Sequence, residues 1–129
     1  MGMDSTMVKP VLRYLQSPDI FDLPESYTPP DPACFCFLLQ AVFGPSDGPG
    51  EESFDMVVCT PSWLTNALPT KGGILSGRHY LFVEKYDIGR IREFIDKYAQ
   101  ECSGETWQVV AERLGRLGRW EFEDYGRYS

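Results

Sequence analysis

Histidine is almost absent from this chain, since His79 is the only one among 129 residues. Acid–base and nucleophilic catalysis most often use a histidine that a third group orients, and no serine stands in the strand-to-helix turn of a hydrolase nucleophile. A single histidine also leaves any zinc site short of ligands. We therefore expect no catalytic residues, no metal and no other cofactor, and a protein that is not an enzyme.

Signatures of nucleotide and nucleic-acid binding are also lacking. The glycine-rich stretches Gly48–Gly50 and Gly72–Gly73 are not followed by the lysine and helix of a phosphate-binding loop. The arginines near the C-terminal end stand beside several acids, and the net charge is −7. Because nucleic acid repels such a surface, we expect no nucleic-acid partner.

Long apolar runs and a secretory pattern are missing as well. The longest apolar run, Ala33 to Leu39, is far shorter than the ~20 residues that span a bilayer, and no signal peptide is evident at the N-terminal end. We expect no membrane contact and a cytoplasmic location. The four cysteines are expected to be free and buried in a reducing compartment; they are Cys34, Cys36, Cys59 and Cys102.

The clearest pattern present is a strand followed by two amphipathic helices between Arg78 and Tyr125. His79–Val83 is β-branched and aromatic, which favours a strand continuing towards Tyr86. Asp87 is a suitable N-cap for a first helix that ends at Ser103–Gly104. A second helix is predicted from Glu105 to a stop at Gly118. The apolar stripes of the two helices are Ile88, Ile91, Ile95, Tyr98 and Cys102, then Trp107, Val110, Ala111, Leu114 and Leu117.

The first half of the chain reads as strands and loops. A first strand (Val8–Leu15), in which Pro10 is compatible only with an edge strand or a strand start, precedes a proline-rich loop (Ser17–Pro32). We expect Ile20, Phe21, Leu23 and Tyr27 to hold that loop against the core. A central strand (Ala33–Gly44), a further strand (Phe54–Thr60) and a short helix (Pro61–Leu68) follow. This order predicts an α+β fold, an antiparallel sheet of about four strands with two C-terminal helices packed on one face. A single domain over residues 1–129 is expected, with residues 1–7 frayed.

Both alternating faces of the central strand are apolar, and the helix pair accounts for only one of them. Either the proline-rich loop and the short helix cover the second face, or a partner does. Strand Tyr80–Tyr86 poses the same question, because Leu81 and Val83 alternate with Tyr80, Phe82 and Tyr86.

Negative charge is concentrated in the first half of the chain. Residues 1–77 carry nine acids and three bases, whereas residues 78–129 carry ten acids and nine bases. The surplus lies in two loops, Asp19–Asp31 and Asp47–Asp55. A surplus of negative charge favours solubility, and its electrostatic field also attracts basic surfaces and speeds association with them.

Three segments carry a family resemblance: CTPSWL (Cys59–Leu64), GRHYLFVEKYD (Gly77–Asp87) and LGRWEFEDY (Leu117–Tyr125). Together they resemble the bacterial immunity protein family numbered eight, over roughly Val8–Tyr125. The resemblance implies a cytosolic α+β protein that binds the effector domain of a cognate toxin from a polymorphic toxin system and blocks it in the producing cell. We expect a monomer or a weak homodimer.

The position of the acids predicts where such a partner binds. If the toxin were a nuclease, its basic groove would face the acidic half of this chain. The predicted contact residues are Asp47, Glu51, Glu52 and Asp55, with Asp31 and Trp63 nearby. The alternative is a generic interaction module or assembly subunit that dimerises through Tyr80, Phe82 and Tyr86.

Overall fold

A hairpin of the two most apolar strands, β2 and β3, forms the centre of the protein. The computed structural model describes residues 7–123. Residues 1–6, which make up most of the segment predicted to be frayed (residues 1–7), and the end of the Leu117–Tyr125 segment lie outside that range. Within it the strands are β1 (Pro10–Gln16), β2 (Cys36–Pro45), β3 (Glu52–Cys59), β4 (Tyr80–Phe82) and β5 (Arg119–Trp120), and the helices are α1 (Pro61–Ala67), α2 (Ile88–Gln100) and α3 (Trp107–Leu114), with 3-10 turns at Pro24–Ser26 and Leu68–Lys71.

The five strands form one sheet in the order β1-β2-β3-β4. Strand β5 also pairs with β3, next to the stretch of β3 that pairs with β4. The α+β class is confirmed, but the sheet is not wholly antiparallel, because β4 runs parallel to β3. The segment from α1 to His79 carries the chain back so that β4 begins beside Val57 and runs in the same direction as β3. The sequence did not indicate β5, since a two-residue strand has no periodicity.

The helix boundaries follow from capping. The Asp87 carboxylate accepts from the backbone N–H of Arg90 at 3.2 Å, so the predicted N-cap of α2 is confirmed. Thr106 caps α3 in the same way. The second C-terminal helix is shorter than predicted, because it ends at Leu114 and Gly115 is its C-cap. Glycine is disfavoured in a helix interior by about 1 kcal/mol, which explains the early end.

The hydrophobic core lies between one face of the sheet and helices α2 and α3. Alternate side chains of β2 and β3 point into it, as the period of two requires. Apolar residues spaced by three and four on the two helices close it, as predicted. The strand residues are Phe37, Leu39, Ala41, Phe43, Phe54, Met56 and Val58, and the helix residues are Ile91, Ile95, Ala99, Val110, Ala111 and Leu114.

The proline-rich loop packs on the helix side of the sheet. The Tyr27 ring meets Phe37 and Tyr86 edge-on, with centroids 6.2 and 5.8 Å apart. The Tyr86 hydroxyl donates to the Pro24 carbonyl at 2.6 Å, and burial raises the pKa of Tyr86 to about 12. Tyr86 therefore belongs to the core and not to the face of Tyr80. Phe21 and Leu23 are exposed, so their predicted role in pinning the loop is wrong.

The β3–α1 junction depends on Thr60, a fully buried polar residue. Its Oγ1 accepts from the N–H of Phe35 at 3.2 Å and from that of Trp63 at 3.4 Å. We predict that Thr60→Val lowers the free energy of unfolding by about 1–3 kcal/mol, because it leaves the buried Phe35 N–H without an acceptor. Urea denaturation followed by circular dichroism measures the loss.

The matched control is Thr65→Val, in an exposed position of α1. That variant should stay within ~0.5 kcal/mol of the parent. Equal losses in the two variants would show that the Thr60 hydroxyl has no special part in the junction.

Candidate partner-binding surface

The second face of the sheet, here called the open face, is only partly covered. Helices α2 and α3 pack on the opposite side. Tyr14 on β1 and Phe82 on β4 remain 40% and 49% exposed, although Val42 and Cys59 between them are buried. The open face consists of Val11, Tyr14, Gln16, Cys36, Leu38, Gln40, Val42, Ser53, Asp55, Val57, Cys59, Tyr80, Phe82 and Arg119.

The flanking segments reach the open face near the start of β2. The Asp19 carboxylate, in the loop after β1, accepts from the backbone N–H of Leu38 at 2.8 Å. Lys71, in the turn after α1, lies close enough to the Cys36 thiol to affect its pKa. The first alternative, that loop and helix cover the second face, therefore holds at this end of the face.

A hydrogen-bonded polar row crosses the middle of the open face. Gln16, Gln40 and Asp55 are consecutive partners in the strand register. Gln16 Nε2 donates to Gln40 Oε1 at 3.2 Å, and Gln40 Nε2 donates to Asp55 Oδ1 at 3.3 Å. The row ends at Arg119, the register partner of Asp55 on β5. Within residues 7–123 no ion pair or hydrogen bond holds the Arg119 guanidinium.

Apolar side chains lie on both sides of this row. Leu38, Val57 and Tyr80 are register partners across three strands. The rings of Tyr80 and Phe82 stack with centroids 5.8 Å apart. Apolar area on either side of a fixed polar row gives a partner both burial and orientation. The alternation of Tyr80 with Phe82 indicated this aromatic pair in the sequence, but Gln16 and Gln40 gave no signal before their register was known.

Acidic groups border the end of the face formed by the β2–β3 turn. Glu51 Oε1 accepts from the Tyr14 hydroxyl at 3.3 Å, and partial burial, then the Glu51 charge, raises the pKa of Tyr14. Arg13, a base, directly precedes Tyr14 in the sequence. Its guanidinium, however, donates to the carbonyls of Pro45 and Gly48 at 2.8 and 2.7 Å. It ties the turn to β1 and pairs with no acid within the described residues.

The structure places the six predicted contact residues in different regions. Asp55 lies on the open face, and Glu51 and Asp47 are exposed at its β2–β3 turn. Asp31 and Trp63 lie at the other end, eight residues of β3 away, a span of roughly 25 Å. There the Asp31 carboxylate accepts from the N–H of Ala33 at 2.9 Å, closing its own turn. Trp63 is half-buried on α1. These residues do not form one patch.

Glu52 is the residue whose surroundings differ most from the prediction. It is the register partner of Phe43 and so lies on the core side of the sheet. Its Oε1 accepts from the indole N–H groups of Trp107 and Trp120, both at 2.8 Å. One carboxylate thus joins β3 to α3 and β5. No sequence signal could have shown this, because the two tryptophans are 55 and 68 residues away.

Other candidate clusters are explained by packing. The Nε2–H of His79 donates to the Gly115 carbonyl at 2.7 Å, which fits the predicted structural role. Gly44–Gly48 spells Gly-x-Ser-x-Gly, but it joins two antiparallel strands and no helix follows it. Among residues 7–123 no three metal-ligating side chains cluster. The four cysteines are free; Cys59 and Cys102 are buried as predicted, and Cys34 and Cys36 are half-buried.

No helix formed by residues 7–123 is both long and apolar enough to cross a bilayer.

The fold and this surface define an α+β domain that packs two helices on one face of a sheet and presents much of the other. The model of the family described as immunity protein 8 matches residues 11–125. The chain therefore belongs to the immunity protein 8 family, and the resemblance noted in the sequence is confirmed. No curated protein and no solved structure shows significant similarity to it.

The shared carboxylate of Glu52 leads to a prediction about stability. Glu52→Ala leaves the indole N–H groups of Trp107 and Trp120 without their acceptor in a partly buried setting. We expect the free energy of unfolding to fall by about 2–3 kcal/mol, measured by urea denaturation with tryptophan fluorescence.

The neighbouring substitution Glu51→Ala is the control, since Glu51 is exposed. It should change the same quantity by less than ~0.5 kcal/mol. If Glu52→Ala were equally mild, the two hydrogen bonds would contribute nothing to stability.

Proposed function

We propose that this protein is an immunity protein that binds the effector domain of a cognate toxin through the open face and neutralises it by occlusion, in the cytoplasm of the producing cell. Membership of the immunity protein 8 family supports the general role. The observation that supports this binding site is the exposure of the open face. Tyr14 on β1 and Phe82 on β4 stay exposed there, although the opposite face of the same sheet packs in the core.

The dimensions of the open face fit a specific protein partner. Four strands at ~4.8 Å spacing and eight residues of β3 span roughly 15 by 25 Å. That area is roughly half of the ~800 Å² that each side of a standard interface buries, so the bordering turn and loop would supply the remainder. Apolar contacts at Leu38 and Val57 would supply affinity, and the polar row ending at Asp55 and Arg119 would set the orientation.

The charge of the protein favours a basic partner. The acidic surplus lies in residues 1–77, which include β1, β2, β3 and the turn carrying Asp47 and Glu51. A nuclease presents a basic groove to its nucleic-acid substrate, and an acidic face that enters the groove would both steer association and exclude the phosphates. A nuclease domain is therefore the toxin class that we propose.

The alternative, self-association through Tyr80, Phe82 and Tyr86, is weakened by the position of Tyr86. Its ring packs in the core against Phe35 and Phe37, with centroids 5.4 and 5.9 Å apart. Only Tyr80 and Phe82 remain for such a dimer.

The first test substitutes the centre of the open face. Val57→Lys places a charge between Leu38 and Tyr80 and should weaken binding to the cognate toxin domain by about 30-fold or more. The fall in affinity is measured by calorimetry, and loss of growth rescue is scored on co-expression with that domain.

Phe94→Lys is the control, because Phe94 is 49% exposed on α2, away from the open face. It should keep both affinity and rescue. Normal affinity of the Val57→Lys variant, together with reduced affinity of the Phe94→Lys variant, would place the interface on the helix side of the protein. A folded protein that rescues no cell and binds no such domain would refute the immunity function itself.

The second test separates local from overall charge. Glu51→Lys and Glu112→Lys each raise the net charge by two, but only Glu51 borders the open face, while Glu112 is exposed on α3. We expect Glu51→Lys to lower the association rate constant by about 3–10-fold at low salt and Glu112→Lys by less than ~2-fold. Stopped-flow mixing with the toxin domain measures both. Equal effects would mean that net charge alone steers the encounter.

A further inference from the structure

Two cysteines face each other across the central hairpin. Cys36 at the start of β2 and Cys59 at the end of β3 are direct register partners. Both side chains point to the open face, because their neighbours Phe37 and Val58 point into the core. Side chains of directly opposed residues have Cβ atoms about 4.5–5.5 Å apart.

The backbone hydrogen bonds show which kind of pair this is. The Cys59 carbonyl accepts from the N–H of Val83, beyond the end of β4, at 3.0 Å, so the backbone of Cys59 is directed to β4 and away from β2. The next pair along, Phe35 and Thr60, is bonded, since the Thr60 N–H donates to the Phe35 carbonyl at 3.1 Å. Cys36 and Cys59 therefore form a non-hydrogen-bonded pair, whose Cα atoms typically lie ~4.5 Å apart. That separation falls within the range that a disulfide spans, at its short end.

The two thiols differ in access. Cys59 is fully buried and lies between Cys36 on β2 and Phe82 on β4, whereas Cys36 is half-buried on the open face. Cys34 is directed elsewhere, because its sulfur accepts from the Asn66 side chain at 4.0 Å. A reagent in solution therefore meets Cys36 first, and the only thiol directly opposite Cys36 is Cys59.

We propose that Cys36 and Cys59 are a modification site, a thiol pair that low-molecular-weight disulfides oxidise reversibly to a cross-strand disulfide in the folded protein. The Cys36 thiolate attacks one sulfur of oxidised glutathione, forming a mixed disulfide and releasing one glutathione thiolate. The Cys59 thiolate then attacks the Cys36 sulfur and releases the second glutathione. The two protons lost by the cysteines pass to the two glutathiones, so two thiols are oxidised and one disulfide is reduced.

The surroundings of Cys36 set the pH dependence of this reaction. Burial, then Cys59 and the Asp19 carboxylate, raise the pKa of Cys36 to about 11 against a smaller opposing effect of Lys71. Burial also raises the pKa of Cys59 and of the adjacent Tyr80. Only the thiolate attacks, so the oxidation rate should rise about tenfold per pH unit between pH 7 and 9.

The test uses the Cys34→Ser protein with oxidised glutathione at pH 8, followed by alkylation and mass spectrometry. A protease specific for glutamate cuts at Glu51 and Glu52 and so separates the two cysteines. We expect one disulfide joining the fragments that carry Cys36 and Cys59, a loss of two alkylatable thiols, and their full return with dithiothreitol. The Cys102→Ser protein should also form the link, and the Cys36→Ser protein should not.

Three results would overturn the site. One is the absence of a link in Cys34→Ser while Cys36 stays alkylatable. The second is a link to Cys59 that persists in Cys36→Ser. The third is a disulfide between chains, seen as a dimer without reductant. No toxin is needed for any of these measurements, so their outcome is independent of the proposed function.

Discussion

Burial of one face of the β2–β3 hairpin beneath α2 and α3 is the constraint on which the rest of the structure depends. Side chains alternate strictly along a strand, so placing Phe37, Leu39 and Phe43 under the helices sends Leu38, Gln40 and Val42 to the other side. A pair of helices covers one face of a sheet and cannot cover both. The open face, and the position of the Cys36–Cys59 pair on it, follow from this packing of the helices on the other face.

Acidic residues serve two different purposes in this arrangement. Glu52 lies on the core side and holds Trp107 and Trp120, while Glu51, next in sequence, borders the open face. Adjacent residues of an extended chain point to opposite sides, which is why neighbours of identical charge take unrelated roles. The acidic half of the sequence is thus partly scaffold and partly surface.

Much of the fold was predictable because its signals are local. The cap at Asp87, the apolar stripe beginning at Ile88, and the strand over Ala33–Gly44 depend on neighbouring residues, and the structure contains all three elements. The parallel pairing of β4, the strand β5 and the early end of α3 depend on distant contacts or on one glycine. Of the candidate surface, the acids near the β2–β3 turn were predictable. The polar row of Gln16, Gln40 and Asp55 was not, since register joins residues 15 and 24 positions apart.

The central claim is that the toxin domain covers the open face, and methyl NMR tests it most directly. Leu38, Val42 and Val57 report from the open face, and Val109 and Leu117 report from the helix side. On titration with the unlabelled toxin domain, we expect the largest shift changes at the first three methyl-bearing residues and little change at the last two. Changes confined to Val109 and Leu117, with the open face unaffected, would contradict the account.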